Sequence, residues 1–251
     1  SSAKKAEVSP RSSASASFPP PVTPLGRLSE NGPEVSLLRL DQLHAEAPGN
    51  KWYKLRYNLL AAADRGQRTI LTFGGPWSNH IAATAATCHA AGLKSIGVIR
   101  GEEPPALSDT LRDARAHGME LHFVSRAAYA RKDTPDFLEE LRVYHGDVYI
   151  IPEGGSNAEG VRGCGEILSG VATGDYTHIA VAVGTGATFR GIAASAGSSQ
   201  RVWGFLALKG GPDAALRDIC RETGERTAII TDYSFGGFAR ARRAEDRGEA
   251  D

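Results

Sequence analysis

The sequence predicts an α/β protein built on parallel β-sheet. From residue 35 to residue 230, short apolar segments alternate with segments in which apolar residues recur at helical spacing. The connections are short, and several strand-like segments end in glycine-containing turns that lead into a helix. Such alternation is typical of a doubly wound parallel sheet, whose ligands bind where strands end and helices begin.

The first part of the chain is predicted to alternate between strand and helix up to residue 151. Leu55 and Leu59 follow Lys51 near helical spacing, and Gly92 and Gly118 stand where two further helices would end. In order, the elements are strand 35–40, helix 51–65, strand 69–73, helix 78–91, strand 95–100, helix 106–117, strand 120–124, helix 135–144 and strand 148–151.

The second part continues the same pattern. Asn157 is a favourable N-cap for a predicted helix that carries Val161, Ile167 and Leu168. The following elements are strand 179–183, helix 188–196, strand 202–206, helix 214–221 and strand 227–230.

Composition argues against several classes of function. Among 251 residues, 29 basic side chains balance 29 acidic ones, so no net field attracts nucleic acid or an anionic membrane. No apolar run approaches the roughly 20 residues needed to cross a bilayer. The three cysteines form no CxxC pair, so we expect neither a metal site nor disulfides, and a reducing, cytoplasmic location.

Residues 1–29 are expected to form a disordered leader. The segment is rich in Ser, Ala and Pro, and such a composition buries too little apolar surface to offset the entropy of ordering. It lacks the continuous apolar stretch of a secretory signal. A remnant of a transit peptide is the alternative to a plain flexible leader.

The turn after strand 179–183 has the composition of a phosphate-binding loop. Its glycines let backbone N–H groups converge on an anion, and the positive end of the next helix adds attraction. It is not a dinucleotide fingerprint, because Phe189 stands where a third glycine would be. We predict phosphate binding, rather than an ordinary tight turn, by Gly184, Thr185, Gly186, Ala187 and Thr188.

Lys51 stands after Gly49 and Asn50, at the start of the first predicted helix. The positive end of the helix dipole disfavours a cation there and favours the neutral amine that Schiff-base chemistry requires. From this feature alone, a solvated surface lysine is the preferred interpretation. Together with a phosphate site, however, such an amine indicates pyridoxal phosphate before other common cofactors.

Two further glycine turns are expected at the same rim of the sheet. In the turn 74–80, GGPWSNH, Ser78 and Asn79 are either plain helix caps or donors to a substrate carboxylate and a cofactor hydroxyl. His80 is either structural or a general acid or base. The turn 154–157, GGSN, would let the backbone approach a ligand or a neighbouring element closely.

At these turns the chain resembles the family of 1-aminocyclopropane-1-carboxylate deaminases and D-cysteine desulfhydrases. These are pyridoxal-phosphate enzymes of the tryptophan-synthase-β fold, also called fold type II. The resemblance covers roughly residues 24–240. The matching segments, in family order, are GNKWYKLRYNL (49–59), LTFGGPWSNHIAATAA (71–86), IIPEGGSNAEG (150–160), VGTGATFRG (183–191) and DYSFGGFAR (232–240).

The resemblance implies roles for individual residues. Lys51 would be the catalytic lysine that binds pyridoxal phosphate as a Schiff base, with Lys54 a poor second choice. Ser78 would be catalytic and would contact the substrate, Asn79 would bind the ring hydroxyl of the cofactor and the substrate, and His80 would lie close to the substrate carboxylate. Residues 184–188 would hold the phosphate.

The resemblance also implies two parallel-sheet α/β lobes. A small lobe is expected at 52–150 and a large cofactor-binding lobe at 30–50 and 151–240, incomplete because the likeness stops at Arg240 and the polar tail 241–251 follows. We therefore expect low solubility or stability and weak activity. A homodimer is implied for a complete chain.

The implied activity is deamination or desulfhydration of a small amino acid such as D-cysteine or 1-aminocyclopropane-1-carboxylate, releasing ammonia and an α-keto acid. Alternatives are another pyridoxal-phosphate reaction such as racemisation or dehydration, a truncated remnant that binds the cofactor weakly or serves as a partner subunit, and a nucleotide-binding oxidoreductase. Trp52 and Trp77 replace smaller or polar residues of the characterised deaminases. The resemblance therefore does not define the shape of the substrate pocket.

Overall fold

A computed structural model of the chain describes residues 18–44, 47–207 and 211–232. The strands are β1 (Val22–Arg27), β2 (Glu34–Leu38), β3 (Thr69–Gly74), β4 (Lys94–Arg100), β5 (Met119–Val124), β6 (Tyr149–Ile151), β7 (His178–Val183), β8 (Arg201–Leu206) and β9 (Thr227–Ile230). The helices are α1 (Lys51–Asp64), α2 (Asn79–Ala90), α3 (Asp109–Ala116), α4 (Arg126–Ala130), α5 (Pro135–His145), α6 (Ala158–Cys164), α7 (Ala187–Ser195) and α8 (Ala214–Thr223).

Most of these strands belong to two parallel sheets. One has the order β5-β4-β3-β6 and the other the order β7-β8-β9, with every neighbouring pair parallel. β1 and β2 form a separate antiparallel pair. Helices connect the parallel strands, so the predicted α/β architecture with two parallel sheets is confirmed.

By its contacts the chain divides into two compact units. The first comprises Ser1–Gly163 and Ser169–Val171, and the second Cys164–Leu168 and Ala172–Asp251. Strands β1–β6 therefore lie in the first unit and β7–β9 in the second. The contacts group 30–50 and 151–163 with the first unit, whereas the lobes inferred from the sequence place both in the large lobe. That division into lobes stays a prediction.

Part of the expected leader is ordered. Residues 22–27 form β1, which pairs with β2 from Val22 opposite Leu38 to Arg27 opposite Glu34, so their assignment to a disordered segment is wrong. The composition of the segment did not indicate this strand, because backbone pairing with β2 stabilises it rather than burial of an apolar face. Residues 1–17 and 233–251 lie outside the described residues.

Three helices differ from the sequence prediction. α3 begins at Asp109 rather than at 106, because Ser108 is its N-cap and accepts a hydrogen bond from the backbone N of Leu111 at 3.2 Å. α6 ends at Cys164, before Ile167 and Leu168. The five-residue helix α4 was not predicted, since it is too short to show periodicity.

The core of the first unit covers both faces of its parallel sheet. β3 lies inside this sheet and alternates between the faces: Ile70 packs with Leu55 and Leu59 of α1, and Leu71 and Phe73 pack with the cluster that includes residues of α4 and α5. Because β3 lies between β4 and β6, the turn that follows β3 lies at the carboxyl edge of the sheet, between its two outer strands.

α1 and α6 cross at a glycine. A Cβ atom added at Gly163 would lie 1.9 Å from the carbonyl oxygen of Tyr53, so only a residue without a side chain allows the two backbones to approach this closely. The close crossing fixes the segment after the 154–157 turn against the helix that begins at Lys51.

We expect Gly163→Ala to lower the free energy of unfolding by about 2–3 kcal/mol, because the new methyl group must displace backbone. Gly174→Ala is the matched control, since a Cβ at Gly174 meets nothing within 4 Å. Urea unfolding of both variants measures the difference. Equal stabilities for the two alanine variants would contradict this account of the crossing.

Candidate active site

The turn between β3 and α2 is built by a glycine and a capping serine. β3 ends at Gly74, where an added Cβ would lie 2.4 Å from Cγ1 of Ile81 and 2.8 Å from Cβ of Ser78. Ser78 is the N-cap of α2, and its Oγ accepts a hydrogen bond from Ile81 N at 3.3 Å. Asn79 opens the helix and is exposed. The capping role predicted for Ser78 is thus confirmed, whereas a substrate role stays a prediction.

Lys51 is the first residue of α1. The side chain is partly buried, and its Nζ donates a hydrogen bond to Oδ1 of Asn50, the N-cap residue, at 2.8 Å. The first turn of α1 contains no acidic residue, so no carboxylate there offsets the unfavourable position of a cation at a helix start. The structure therefore places Lys51 where the sequence predicts it.

Lys54 lies one turn further along α1 and is only 4% exposed. Because they are three positions apart in the sequence, Lys51 and Lys54 lie on the same side of the helix. The electrostatic effect of both ammonium groups reaches His80 on α2. The residues 51, 54 and 80 therefore form one cluster within the first unit.

His80 is buried and hydrogen-bonded to a residue that the sequence analysis did not identify. Its Nε2 lies 2.9 Å from Oγ1 of Thr72, a fully buried residue of β3. Burial, and then the positive charges of Lys51 and Lys54, lower the pKa of His80 from 6.5 to about 3. The ring is therefore neutral at physiological pH and is not a ready proton donor.

The lowered pKa of His80 makes stability depend on pH. Between pH 6.5 and about 3 the unfolded chain binds a proton at this residue and the folded chain does not. The free energy of unfolding therefore falls as pH falls through this window, by about 1.4 kcal/mol per pH unit for one proton.

His80→Gln removes this titration and keeps an amide that can bond to Thr72. We expect the stability of the wild type relative to His80→Gln to decrease as pH is lowered from 7 to 4.5, measured by urea unfolding at each pH. Parallel stability curves for the two proteins would show that His80 is not buried in neutral form.

The 154–157 turn packs against the same cluster. A Cβ at Gly155 would lie 3.2 Å from Cβ of Lys54 and 3.4 Å from Cε1 of His80. Asn157 Oδ1 accepts a hydrogen bond from Gly160 N at 2.9 Å, so the predicted cap of α6 is confirmed. The close backbone approach predicted for this turn is a contact with neighbouring elements.

A pair of amides, the buried Asn58 and the partly buried Asn157, fixes this turn to α1. Asn157 Nδ2 donates to Oδ1 of Asn58 at 2.7 Å, and Asn58 Nδ2 donates to the carbonyl oxygen of Lys54 at 2.7 Å. The hydroxyl of Tyr149 donates to Oδ1 of Asn58 at 3.3 Å. Because Asn58 is fully buried, losing one partner would leave a polar group unpaired, which makes the connection specific.

The predicted phosphate turn lies in the second unit, between β7 and α7. Gly186 is the N-cap of α7 with φ +84°, a left-handed conformation, and the helix start has no side-chain cap. An added Cβ there would lie 3.0 Å from Cδ2 of Leu216. Gly186 has no side chain that could cap the start of α7, and a helix start of this kind suits an anion.

Thr188, in the first turn of α7, is buried and lies 3.8 Å, Oγ1 to Sγ, from the thiol of Cys164. A Cβ at Gly191 would lie 2.5 Å from Cβ of Cys164, so α7 packs very closely on the segment at Cys164. The packing of α7 against Cys164 thus holds the turn that precedes α7 in place.

Comparison with known proteins identifies the class. The family model described as pyridoxal-phosphate dependent enzyme matches residues 15–231. The chain belongs to this family, whose cofactor is pyridoxal phosphate. The nucleotide-binding oxidoreductase considered from the sequence is therefore excluded.

Two individual relatives are similar to about two thirds of this chain. A putative 1-aminocyclopropane-1-carboxylate deaminase of Thermotoga maritima is 37% identical over 183 residues, which are 70% of this chain and 58% of the relative. A bifunctional, mitochondrial D-cysteine desulfhydrase/1-aminocyclopropane-1-carboxylate deaminase of Arabidopsis thaliana is 31% identical over 64% of this chain and 45% of its own length. The chain thus spans about half the length of each.

A solved structure confirms the fold. The crystal structure of a homologue of 1-aminocyclopropane-1-carboxylate deaminase superimposes with a TM-score of 0.74 at 26% identity, covering 90% of this chain and 74% of that one. The tryptophan-synthase-β-like fold inferred from sequence motifs is confirmed by this match and by the family.

The residues present fit the cofactor of the family. The uncapped start of α7 with its left-handed glycine suits a phosphate, and Lys51 offers a primary amine at the start of α1. When bound, pyridoxal phosphate supplies an electron sink for bond cleavage at the α-carbon of an amino acid. Within 18–44, 47–207 and 211–232, no group of three His, Cys, Asp or Glu side chains is placed to hold a metal ion.

Thr72, Asn58 and Asn157 are the polar residues around the site whose contacts sequence reasoning missed. The signal for Thr72 was a hydroxyl placed between Leu71 and Phe73 in the interior of the strand TILTFG. For the asparagines no local signal exists, because they lie 99 positions apart.

Proposed function

We propose that this chain catalyses the pyridoxal-phosphate dependent breakdown of a small amino acid such as D-cysteine or 1-aminocyclopropane-1-carboxylate. One water is consumed, and ammonia and an α-keto acid are released, with hydrogen sulfide as a further product from D-cysteine. The observation that carries the proposal is the cluster of Lys51, Lys54 and His80, with Ser78 at the start of the same helix α2, in a chain of this family.

Each residue of the site has a separate role in this proposal. Lys51 attaches the cofactor covalently, and residues 184–188 hold its phosphate through the N–H groups at the start of α7. Asn79 binds the ring hydroxyl of the cofactor. Ser78, next to it at the start of α2, contacts the substrate, and the neutral His80 lies beside it within the substrate site. Gly155 closes one side of the cluster without adding a side chain.

The choice of substrates rests on the relatives, whose names combine 1-aminocyclopropane-1-carboxylate deaminase and D-cysteine desulfhydrase. Trp77 follows the glycine turn and is 71% exposed, while Trp52 is partly buried against Tyr53, with ring centroids 5.2 Å apart. Trp52 thus belongs to the packing of α1, and we propose that only Trp77 alters the shape of the substrate site.

The test is an assay of keto acid, ammonia and sulfide with D-cysteine, 1-aminocyclopropane-1-carboxylate, L-cysteine and D-serine, each with and without pyridoxal phosphate. Cofactor-dependent product from either of the first two substrates supports the proposal. Cofactor binding without any product would favour the alternative of a chain that binds pyridoxal phosphate but does not turn over. Racemisation without ammonia would favour the other reaction class.

We also propose a reducing, cytoplasmic location and, for a complete chain, a homodimer. The described part of the chain has no helix long and apolar enough to cross a membrane. Cys88 is buried in the core, where burial raises the pKa of its thiol to about 12, so it is unreactive. Analytical ultracentrifugation with cofactor present tests the dimer.

A further inference from the structure

The hydrogen bonds of Thr72 determine which nitrogen of His80 carries the proton. Thr72 Oγ1 lies 2.9 Å from the carbonyl oxygen of Ile151 and 2.9 Å from His80 Nε2. A carbonyl oxygen only accepts, so the single hydroxyl proton of Thr72 is donated to Ile151. Thr72 must then accept the second hydrogen bond, and it follows that His80 Nε2 carries a hydrogen.

The other ring nitrogen is consequently an acceptor. In a neutral imidazole with a protonated Nε2, Nδ1 has a lone pair and no hydrogen. Nδ1 of His80 is buried and has no hydrogen-bond partner among the described residues, and the residue as a whole is 3% exposed. A buried acceptor left unpaired is unfavourable, so the lone pair of Nδ1 points to a hydrogen-bond donor supplied within the active site.

The surroundings select the chemistry of that partner. The charged groups that act on the ring are Lys51 and Lys54 of α1, and both oppose protonation of Nδ1. The turn on the other side presents Gly155, which has no side chain. Nδ1 can only accept, so a carboxylate, which has no hydrogen to donate, cannot bond to it. Because both lysines also repel a further positive charge, a neutral amino group is the donor that fits.

We propose that Thr72 is a positioning residue that holds His80 as its Nε2–H tautomer, so that Nδ1 accepts a hydrogen bond from an amino group in the active site. The donor is the amino group of the substrate or of Lys51. This inference rests on the proposed function, and it departs from the role that the resemblance implies, in which His80 lies close to the substrate carboxylate.

The tautomer is tested without activity, by ¹⁵N NMR of histidine-labelled protein. We expect Nε2 of His80 to be protonated and Nδ1 unprotonated from pH 5.5 to 8.5. Thr72→Val, which removes the acceptor, should give a mixture of tautomers, and Thr72→Ser should keep the wild-type state. A protonated Nδ1 in the wild type overturns the proposal, even if Thr72→Val fails to fold. So does a folded Thr72→Val protein with the wild-type tautomer.

The donor is tested on the holoenzyme. D-alanine, which has the amino group, should shift the Nδ1 resonance, whereas propionate, which has only the carboxylate, should not. A shift caused by Lys51→Ala in the absence of ligand would identify the lysine as the donor instead. A shift with propionate equal to that with D-alanine, or no shift in any of the three experiments, overturns the amino-group assignment.

Kinetics supply a further readout. We expect kcat/KM for D-cysteine to fall about ten-fold in Thr72→Val, the loss of roughly one hydrogen bond, and to be restored in Thr72→Ser, with cofactor affinity unchanged. Absence of turnover in the wild type would count against the proposed function and leave the NMR result on the tautomer standing.

Discussion

Replacing Lys51 by alanine is expected to abolish covalent attachment of pyridoxal phosphate and to lower turnover by about 10³-fold or more, as removal of a residue that forms a covalent intermediate does in other enzymes. Lys51 is the lysine at the very start of α1, where its Nζ is held by the N-cap Asn50 at 2.8 Å. Borohydride reduction followed by peptide mapping should place the label on Lys51.

Lys54→Met is the matched control. Lys54 lies on the same side of α1 but is 4% exposed, and methionine keeps a long side chain in this buried position. The label on Lys51 should survive in this variant, although activity can change because Lys54 acts on His80. A label found on Lys54, with none on Lys51, would show that the assignment from the sequence is wrong.

Gly186→Asp is expected to weaken pyridoxal phosphate binding by about 100-fold or more. A carboxylate within several ångströms of a phosphate dianion costs a few kcal/mol at the effective dielectric of a protein surface. The side chain also has no room, since a Cβ would lie 3.0 Å from Leu216 and φ is +84°. Cofactor titration followed by absorbance or fluorescence measures the loss.

Two control variants distinguish the effect of the negative charge in Gly186→Asp from the effect of the added side-chain atoms. Gly186→Ala introduces the same Cβ without the charge, so its smaller loss of affinity measures strain and crowding alone. Gly174→Asp adds the same charge in the same unit, at a position where a Cβ meets nothing within 4 Å, and should bind as the wild type does. If Gly186→Asp binds pyridoxal phosphate like the wild type, the loop does not hold the phosphate.

The elements around the site could be predicted because they depend on local chemistry. α1 begins at Lys51 and α2 is capped by Ser78, as the helix-start signals indicate, and Asn157 caps α6. The glycine turn at 184–186 leads into α7, as predicted. Each of these features is set by a few neighbouring residues whose backbone preferences do not need the rest of the fold.

The sequence by itself therefore determined the class of fold, the family, and the positions of Lys51 and of the glycine turn for which phosphate binding is predicted. Only the tertiary structure decided how buried groups are paired. Thr72 bonds to Ile151, 79 positions away, and Asn58 to Asn157, 99 positions away. It also buried Lys54 more deeply than Lys51 and paired β1 with β2. The physical reason is that the partner of a buried polar group depends on which distant segments pack together, and a single sequence carries no local signal for that choice.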